Sequence, residues 1–276
     1  MKNKRAEAGG APDIKRRRAR IALAAGALLL AAVAAFALIF REDGETRTNR
    51  LYFKGIDAID AEEGYVRVES RMLLTIIKGD AQRTVRVRSN IGREGAAGNR
   101  RWSARVRRDD GGESTERNLY FEAGTMYQDY GGKKIAWTVD ASTDSDVMDL
   151  LGAPELPFTR EIATKAESAK NSGGGVSVTM TLDGAAVAER LTDILALFGR
   201  ESAWEDGGLT FRNVYLTAEL ARGGALAGRT LSFAASGADG TQFVCDLSIK
   251  AALGEDGAVS QPPDIGDYEK AVASVR

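Results

Sequence analysis

Hydrophobic and polar positions alternate through much of this chain with a period of two. Across residues 65–78, Val66, Val68, Met72, Leu74 and Ile76 fall on one side, and Arg67, Glu69 and Arg71 on the other. Residues 83–88 repeat the pattern with Val85 and Val87 against Arg86 and Arg88, and residues 101–107 with Trp102, Ala104 and Val106 against Arg101, Arg105 and Arg107. Such alternation predicts half-buried strands, one face on a core and one in solvent. Turns are predicted at Gly79-Asp80, residues 90–99 and residues 109–112. Residues 119–122, 125–129 and 133–139 add three short strands parted by Gly124 and by Gly131-Gly132. Links this short predict an antiparallel meander.

The period then changes. Residues 142–151 carry Ser and Asp as cap candidates, apolar Val147, Leu150 and Leu151, and Gly152 just beyond, which predicts a helix. After Pro154 and Pro157, residues 158–170 read as a second helix built on Phe158, Ile162 and Ala166. Residues 173–182 return to strand, with Val176, Val178, Met180 and Leu182 facing one way. Asp183 is placed to cap a helix over 185–198, where Val187, Leu191, Ile194, Leu195 and Phe198 form an apolar stripe at helical spacing. Strands over 209–222, 228–236 and 241–253 close the chain, the last with Phe243, Cys245, Leu247 and Ile249 on one face. The order is that of an α+β domain, with helices gathered on one face of an antiparallel sheet.

Ahead of this body, residues 21–40 contain no charge. Twenty helical residues span roughly 30 Å, the thickness of a bilayer's hydrocarbon core. Lys15, Arg16, Arg17, Arg18 and Arg20 stand directly before the run. Basic flanks stay cytoplasmic, so residues 1–20 form a cytoplasmic head, 21–40 a transmembrane signal anchor, 41–49 a polar linker, and 50–276 an extracytoplasmic body. The competing reading is a secretory signal cleaved at Ala35-Phe36-Ala37, giving a secreted protein. The run continues through Leu38-Ile39-Phe40 past that site, which favours the anchor.

Charge sharpens the division. The chain is 276 residues long with a net charge of -1, but residues 1–20 carry +6, Arg41 adds one, and residues 42–276 carry -8. Within the body, residues 83–108 hold nine Arg and one acid. Arg86, Arg88, Arg101, Arg105 and Arg107 therefore cluster on one outer face, as a patch for anionic lipid or wall polymer. The plainer reading pairs them with acids of neighbouring strands such as Glu69, Glu116 and Glu122. Nucleic acid is not expected as a partner of an exported acidic domain.

With no His and one Cys, several chemistries are excluded. There is no Ser-His-Asp triad, no Cys-His pair, no internal disulfide and no His- or Cys-rich zinc site. Cys245 sits among Phe243, Leu247 and Ile249 as a buried thiol. The acid-rich stretches 57–63 and 140–149 lack calcium-loop spacing, and Gly173-Gly174-Gly175 lacks the Lys-Ser/Thr of a phosphate loop. No catalytic residue, metal or cofactor is expected.

The stretch L-Y-F-E-A-G-T-M-Y-Q-D-Y-G-G-K-K (119–134), the helix-strand-helix run over 143–198, and the tail D-G-T-Q-F-V-C-D-L-S-I-K (239–250) followed by Pro262-Pro263-Asp264 and Asp267-Tyr268 resemble the LolA, LolB and LppX-like lipoprotein-carrier superfamily. The likeness spans residues 50–272, and is greatest to a Gram-positive branch of unassigned function. It implies a strongly curved antiparallel half-barrel sheet, its concave face covered by two or three helices, with acyl chains bound between them. The chain departs from that branch in having no Cys near its anchor to accept lipid.

A sheet with one apolar face covered by modest helices leaves room for an apolar ligand. The expected lining is Met72, Leu74, Ile76, Val178, Met180, Leu231, Phe233 and Phe243 of the sheet, with Val187, Leu191 and Ile194 of the helical lid. The expected function is non-catalytic binding of a hydrophobic or lipid-like ligand, as carrier or sensor. The alternative is an envelope interaction or sensory ectodomain with a filled core. A continuous cavity of several hundred Å³ under the 185–198 helix would separate the two.

Overall fold

The structure is a computed structural model and describes residues 44–139, 144–154, 162–199, 208–254 and 257–271. The basic head, the apolar run and its signal site, and the cap candidate Ser142 lie outside the described residues. The chain divides into two units, Met1–Asp43 and Gly44–Arg276. The second holds every described strand pairing and the whole described core, so it carries the means to fold by itself.

Among the described residues, twelve strands form one open sheet in the order β12-β6-β5-β4-β3-β2-β1-β11-β10-β9-β8-β7. Six consecutive strands make the expected meander: β1 (Val66–Lys78), β2 (Ala81–Glu94), β3 (Arg101–Asp110), β4 (Glu113–Glu122), β5 (Thr125–Tyr130) and β6 (Lys133–Thr138). Five more make a second one: β7 (Ala163–Lys170), β8 (Val176–Leu182), β9 (Thr210–Leu220), β10 (Leu226–Ser236) and β11 (Gln242–Leu253). The antiparallel β1–β11 pair, with Met72 opposite Leu247, joins the two meanders. β12 (Glu269–Lys270) adds a short parallel pairing to β6. Along each long strand, buried and exposed residues alternate, giving an inner face on the core and an outer face.

Three helices among the described residues contribute to the core on the inner face: α1 (Gly44–Asp60), α2 (Asp144–Leu150) and α3 (Ala188–Ala196). α1 corrects the expectation of a linker over 41–49, since residues 44–49 are its first turns. Its buried stripe begins at the polar Thr48 and Asn49, and the apolar helical spacing shows only in its second half, at Tyr52, Ile56 and Ile59. Gly55 lets the helix lie close to the sheet, because a Cβ there would stand 2.5 Å from Leu220 Cδ2 and 3.2 Å from the Gly224 carbonyl oxygen. α1 has no basic residue in its last turn. Arg93 of β2 and Arg100 supply the charge instead, donating to the Ile59 and Asp60 carbonyl oxygens.

Residues 163–170, expected within a helix over 158–170, are instead edge strand β7, and residues 155–161 lie outside the described residues. The segment A-T-K-A-E-S-A-K favours helix locally, but its antiparallel ladder with β8 overrides that preference. Its exposed Lys165, Glu167 and Lys170 suit an edge that must not pair further. β2 likewise runs on through residues 90–94, expected as part of a turn, because Ile91 and Arg93 keep the inner-face alternation. β3 runs through Asp110, leaving Gly111-Gly112 as the turn.

The two remaining helices form where expected, but α3 starts at Ala188 rather than 185, with Val187 at its N-cap and no side-chain cap. Asp183 therefore caps the preceding turn and not the helix. α2 ends at Gly152, whose φ of +74° closes the helix while Ala153 N donates to the Met148 carbonyl oxygen at 3.0 Å. Asp183 Oδ1 accepts from Ala185 N at 2.9 Å ahead of α3, which buries Leu191, Ile194 and Leu195. Arg190 and Asp149 form a two-pronged ion pair, 2.7 Å in each prong, that ties α3 to α2.

Candidate functional site

The inner face is where a ligand would sit between sheet and helices. Ten of the eleven expected lining residues are no more than 4 % exposed: Met72, Leu74, Val178, Met180, Val187, Leu191, Ile194, Leu231, Phe233 and Phe243. They belong to one core with Leu195 and Phe198, and Ile76 packs half-buried at its margin. The fold thus brings the sheet set and the lid set together, and they fill the space between them. None of the eleven lines either of the two inner-face hollows described below.

The larger hollow, about 370 Å³, opens beyond the C-terminal end of α3. Val87, Val106, Ala196 and Leu197 supply its apolar wall, and Arg108, Thr115, Arg117, Gln128 and Tyr130 its polar one, with Glu116, which is held by Arg105, at its border. Strand register brings these together. Val87 lies opposite Arg108, Val106 opposite Arg117, and Arg117 opposite Tyr130. Arg108 approaches the chain leaving α3, where a Cβ on Gly199 would be 3.2 Å from its Nη2.

The two guanidinium groups differ. Arg108 is held by Asp110 at 2.9 Å, and Asp110, which also takes Arg83, has its carboxyl pushed down to about 2, chiefly by the Arg83 hydrogen bond. Arg117 has no acid within ion-pair distance among the described residues, and Nη2 donates to the Leu150 carbonyl oxygen at 3.4 Å. Burial, and then the neighbouring Arg108, push its guanidinium below the ordinary value. A cation desolvated beside a second cation is relieved by an anion.

The smaller hollow, about 50 Å³, lies between α1 and the sheet and is lined by Ile56, Ile59, Val68, Trp102, Met148 and Ile249 among others. Trp102 Nε1 and Arg229 Nε, both on residues that line it, are buried without a hydrogen-bond partner. The Arg93 guanidinium lies 5.7 Å over the Trp102 ring. This space accepts a few ligand atoms and not a whole chain.

Arg86, Arg88, Arg101, Arg105 and Arg107 are exposed on the outer face. Arg105 pairs with Glu116 at 2.7 Å, Arg107 with Asp109 at 3.0 Å, and Arg101 with Glu94. Arg86 and Arg88 form no ion pair among the described residues. The acid partners are thus Glu116, which was expected, and Asp109 and Glu94, which were not. Cys245 is fully buried, and burial drives its thiol far above the ordinary range.

No protein-family model and no curated protein matches the chain. Among solved structures it is similar to LprF from Mycobacterium bovis, at 12% identity over 79% of this chain and 97% of that one, with a TM-score of 0.44. It is also similar to a DUF1329-family protein from Desulfovibrio piger, at 9% identity over 78% and 96% of the two chains with a TM-score of 0.28. A third is described as an outer membrane lipoprotein-sorting protein domain from Vibrio parahaemolyticus, at 11% identity over 77% and 95%, with a TM-score of 0.23. At these TM-scores function rests on the chain's own residues.

Arg108, Arg117, Gln128 and Tyr130 escape sequence reasoning as site residues. Arg108 carries a visible signal, because it shares the parity of Trp102, Ala104 and Val106 and so turns inward after them. Arg117 reaches the site only through the β3–β4 register, which the sequence does not display.

Proposed function

We propose that the chain is a membrane-anchored, extracytoplasmic half-barrel domain that binds an acyl-type ligand with an anionic head on the inner face of its sheet, as carrier or sensor and without covalent chemistry. The observation that carries this reading is the hollow of about 370 Å³ beside the end of α3, with apolar residues on one side and Arg117 on the other. Arg117 has no ion pair among the described residues, and the one bordering acid, Glu116, is held by Arg105. An acyl chain would lie along Val87, Val106 and Leu197, each methylene gaining about 0.8 kcal/mol on burial. Its carboxylate or phosphate would meet Arg117 and Arg108. The anchor and the outside location rest on residues 15–40. The absence of His, and a Cys245 sealed in the core, support a role without catalysis.

The packing of Leu191 and Ile194 against the sheet favours a second reading, an interaction ectodomain with a filled core. Titration of the Gly44–Arg276 unit with cis-parinaric acid separates the two. The carrier reading expects saturable fluorescence, weakened about tenfold or more by Leu197→Trp, which fills the hollow. Arg117→Met should weaken the acid but leave its methyl ester unchanged. A single ligand-free mass in native mass spectrometry, with no uptake of the acid, would leave the filled-core reading standing.

A further inference from the structure

The outer face of β1, β2 and β3 carries three arginines in one row. Arg107 stands directly opposite Arg88, and Arg88 directly opposite Arg71. Like charges in directly opposed positions of an antiparallel pair destabilise it. A carboxylate between them would remove the cost, yet neither Arg71 nor Arg88 makes an ion pair or side-chain hydrogen bond among the described residues. Arg107 leans away to Asp109 at 3.0 Å. Arg86, two residues along β2 on the same face, is also exposed and without an ion pair among the described residues. Its cross-strand neighbour on β3 is Asp109, already engaged by Arg107.

The row continues in hydroxyls. Arg71 is opposite Ser248 of β11, and Ser248 opposite Thr230 of β10. Arg71, Arg86, Arg88, Thr230 and Ser248 surround a hollow of about 270 Å³ on this face. One carboxylate, Asp246, also borders it and accepts from Ser232 Oγ at 2.7 Å. Three unpaired guanidinium forks with two hydroxyls match phosphate oxygens, which accept several donors at once.

What lies beside the arginines selects the kind of phosphate. Val244 is 43 % exposed on the same face, a large apolar group left in water. Leu73 stands between Arg86 and Asp246, and Val244 is opposite Thr75 in the next outer-face row. Basic forks flanked by aliphatic side chains suit a bilayer interface, where phosphates lie above acyl chains. A soluble polyanion would leave Val244 exposed. α1 begins at Gly44, four residues after the apolar run 21–40, which the proposed function assigns to a bilayer.

We propose that the outer face of β1–β3 and β11 docks onto the surface of an anionic phospholipid bilayer, with Arg71, Arg86 and Arg88 on lipid phosphates and Leu73 and Val244 in the headgroup layer. The inference goes beyond ligand binding on the inner face and does not depend on it. Docking this face leaves the inner face turned from the bilayer.

Co-sedimentation of the Gly44–Arg276 unit with phosphatidylcholine vesicles, with and without phosphatidylglycerol, tests it. Binding should require phosphatidylglycerol and fall as salt is raised. Each arginine removed should lower partitioning about fivefold, so that the triple variant R71Q/R86Q/R88Q loses about a hundredfold. Val244→Asp should weaken it too, and Lys170→Gln on edge strand β7 should not. The triple variant should melt no lower than the parent, because it relieves opposed charges, and should keep its uptake of cis-parinaric acid. If the triple variant does not fold, the fivefold loss in Arg88→Gln alone carries the test. Equal binding to both vesicle types, or a folded triple variant that binds like the parent, would overturn the proposal. So would capture of soluble polyphosphate without vesicle binding.

Discussion

On strands β1, β2 and β3, two neighbouring rows face opposite ways. Ser70, Ser89 and Val106 form one cross-strand row and are 1 %, 2 % and 3 % exposed. One residue further along β1, Arg71, Arg88 and Arg107 form the next, all exposed. The inner row admits no charge, because α2 closes on it: Ser89 Oγ reaches the Gly152 carbonyl oxygen at 3.4 Å. The outer row admits three. A one-residue slip would exchange the two sets, so the buried face fixes the register and the outer face is left free to carry function.

The largest effect should come from the inner side. Leu191→Ala removes a fully buried side chain from α3 and should lower the unfolding free energy by about 2–5 kcal/mol in urea denaturation. Arg88→Ala, on the outer row, should move it by no more than about 0.5 kcal/mol. Equal losses would mean that the outer row, too, is packed against something. Next in size is the contact between α2 and the inner row. Gly152 has φ +74°, and a Cβ there would stand 2.8 Å from Ser89 Oγ. Gly152→Ala should cost about 1–2 kcal/mol for the left-handed backbone alone, plus the clash. Gly224 has φ +87° and open space around it, so Gly224→Ala measures the backbone part. Subtracting one thermal unfolding result from the other isolates the contact that seals the inner row.

The same contrast explains what was legible in the sequence. Alternation gave both faces of β1, β2, β3 and β11, because parity is a local property. It failed for β7, whose Ala, Glu, Lys and Ser favour helix and become strand only through pairing with β8. The start of α1 was masked because Thr48 and Asn49 occupy its buried stripe, while the helical spacing of Tyr52, Ile56 and Ile59 in its second half went unread. Parity also could not tell lining from packing. Val178 and Leu191 face inward, as expected, and are sealed among other side chains, while Val87 and Leu197 face inward beside empty space. That difference depends on where α3 ends. It ends short of β4 and β5, and Arg108, Arg117, Gln128 and Tyr130 meet in the gap through cross-strand register rather than through any motif.

The smallest expected effect sharpens the comparison most, because its sign is informative. Arg88 lies between Arg71 and Arg107 in direct cross-strand register and makes no ion pair among the described residues, and Asp109, hydrogen-bonded to Arg107, attracts it only at longer range. Arg88→Thr removes two like-charge neighbours at once and introduces a β-branched residue suited to a strand. The isolated domain should therefore gain a few tenths to about 1 kcal/mol in low salt. The gain should shrink as salt is raised, because screening weakens the repulsion in the parent. A surface residue whose replacement stabilises the domain is held for something other than folding. If Arg88→Thr instead destabilises the domain, the three arginines are a supported part of the sheet, and their exposure ceases to argue for a phosphate-bearing surface.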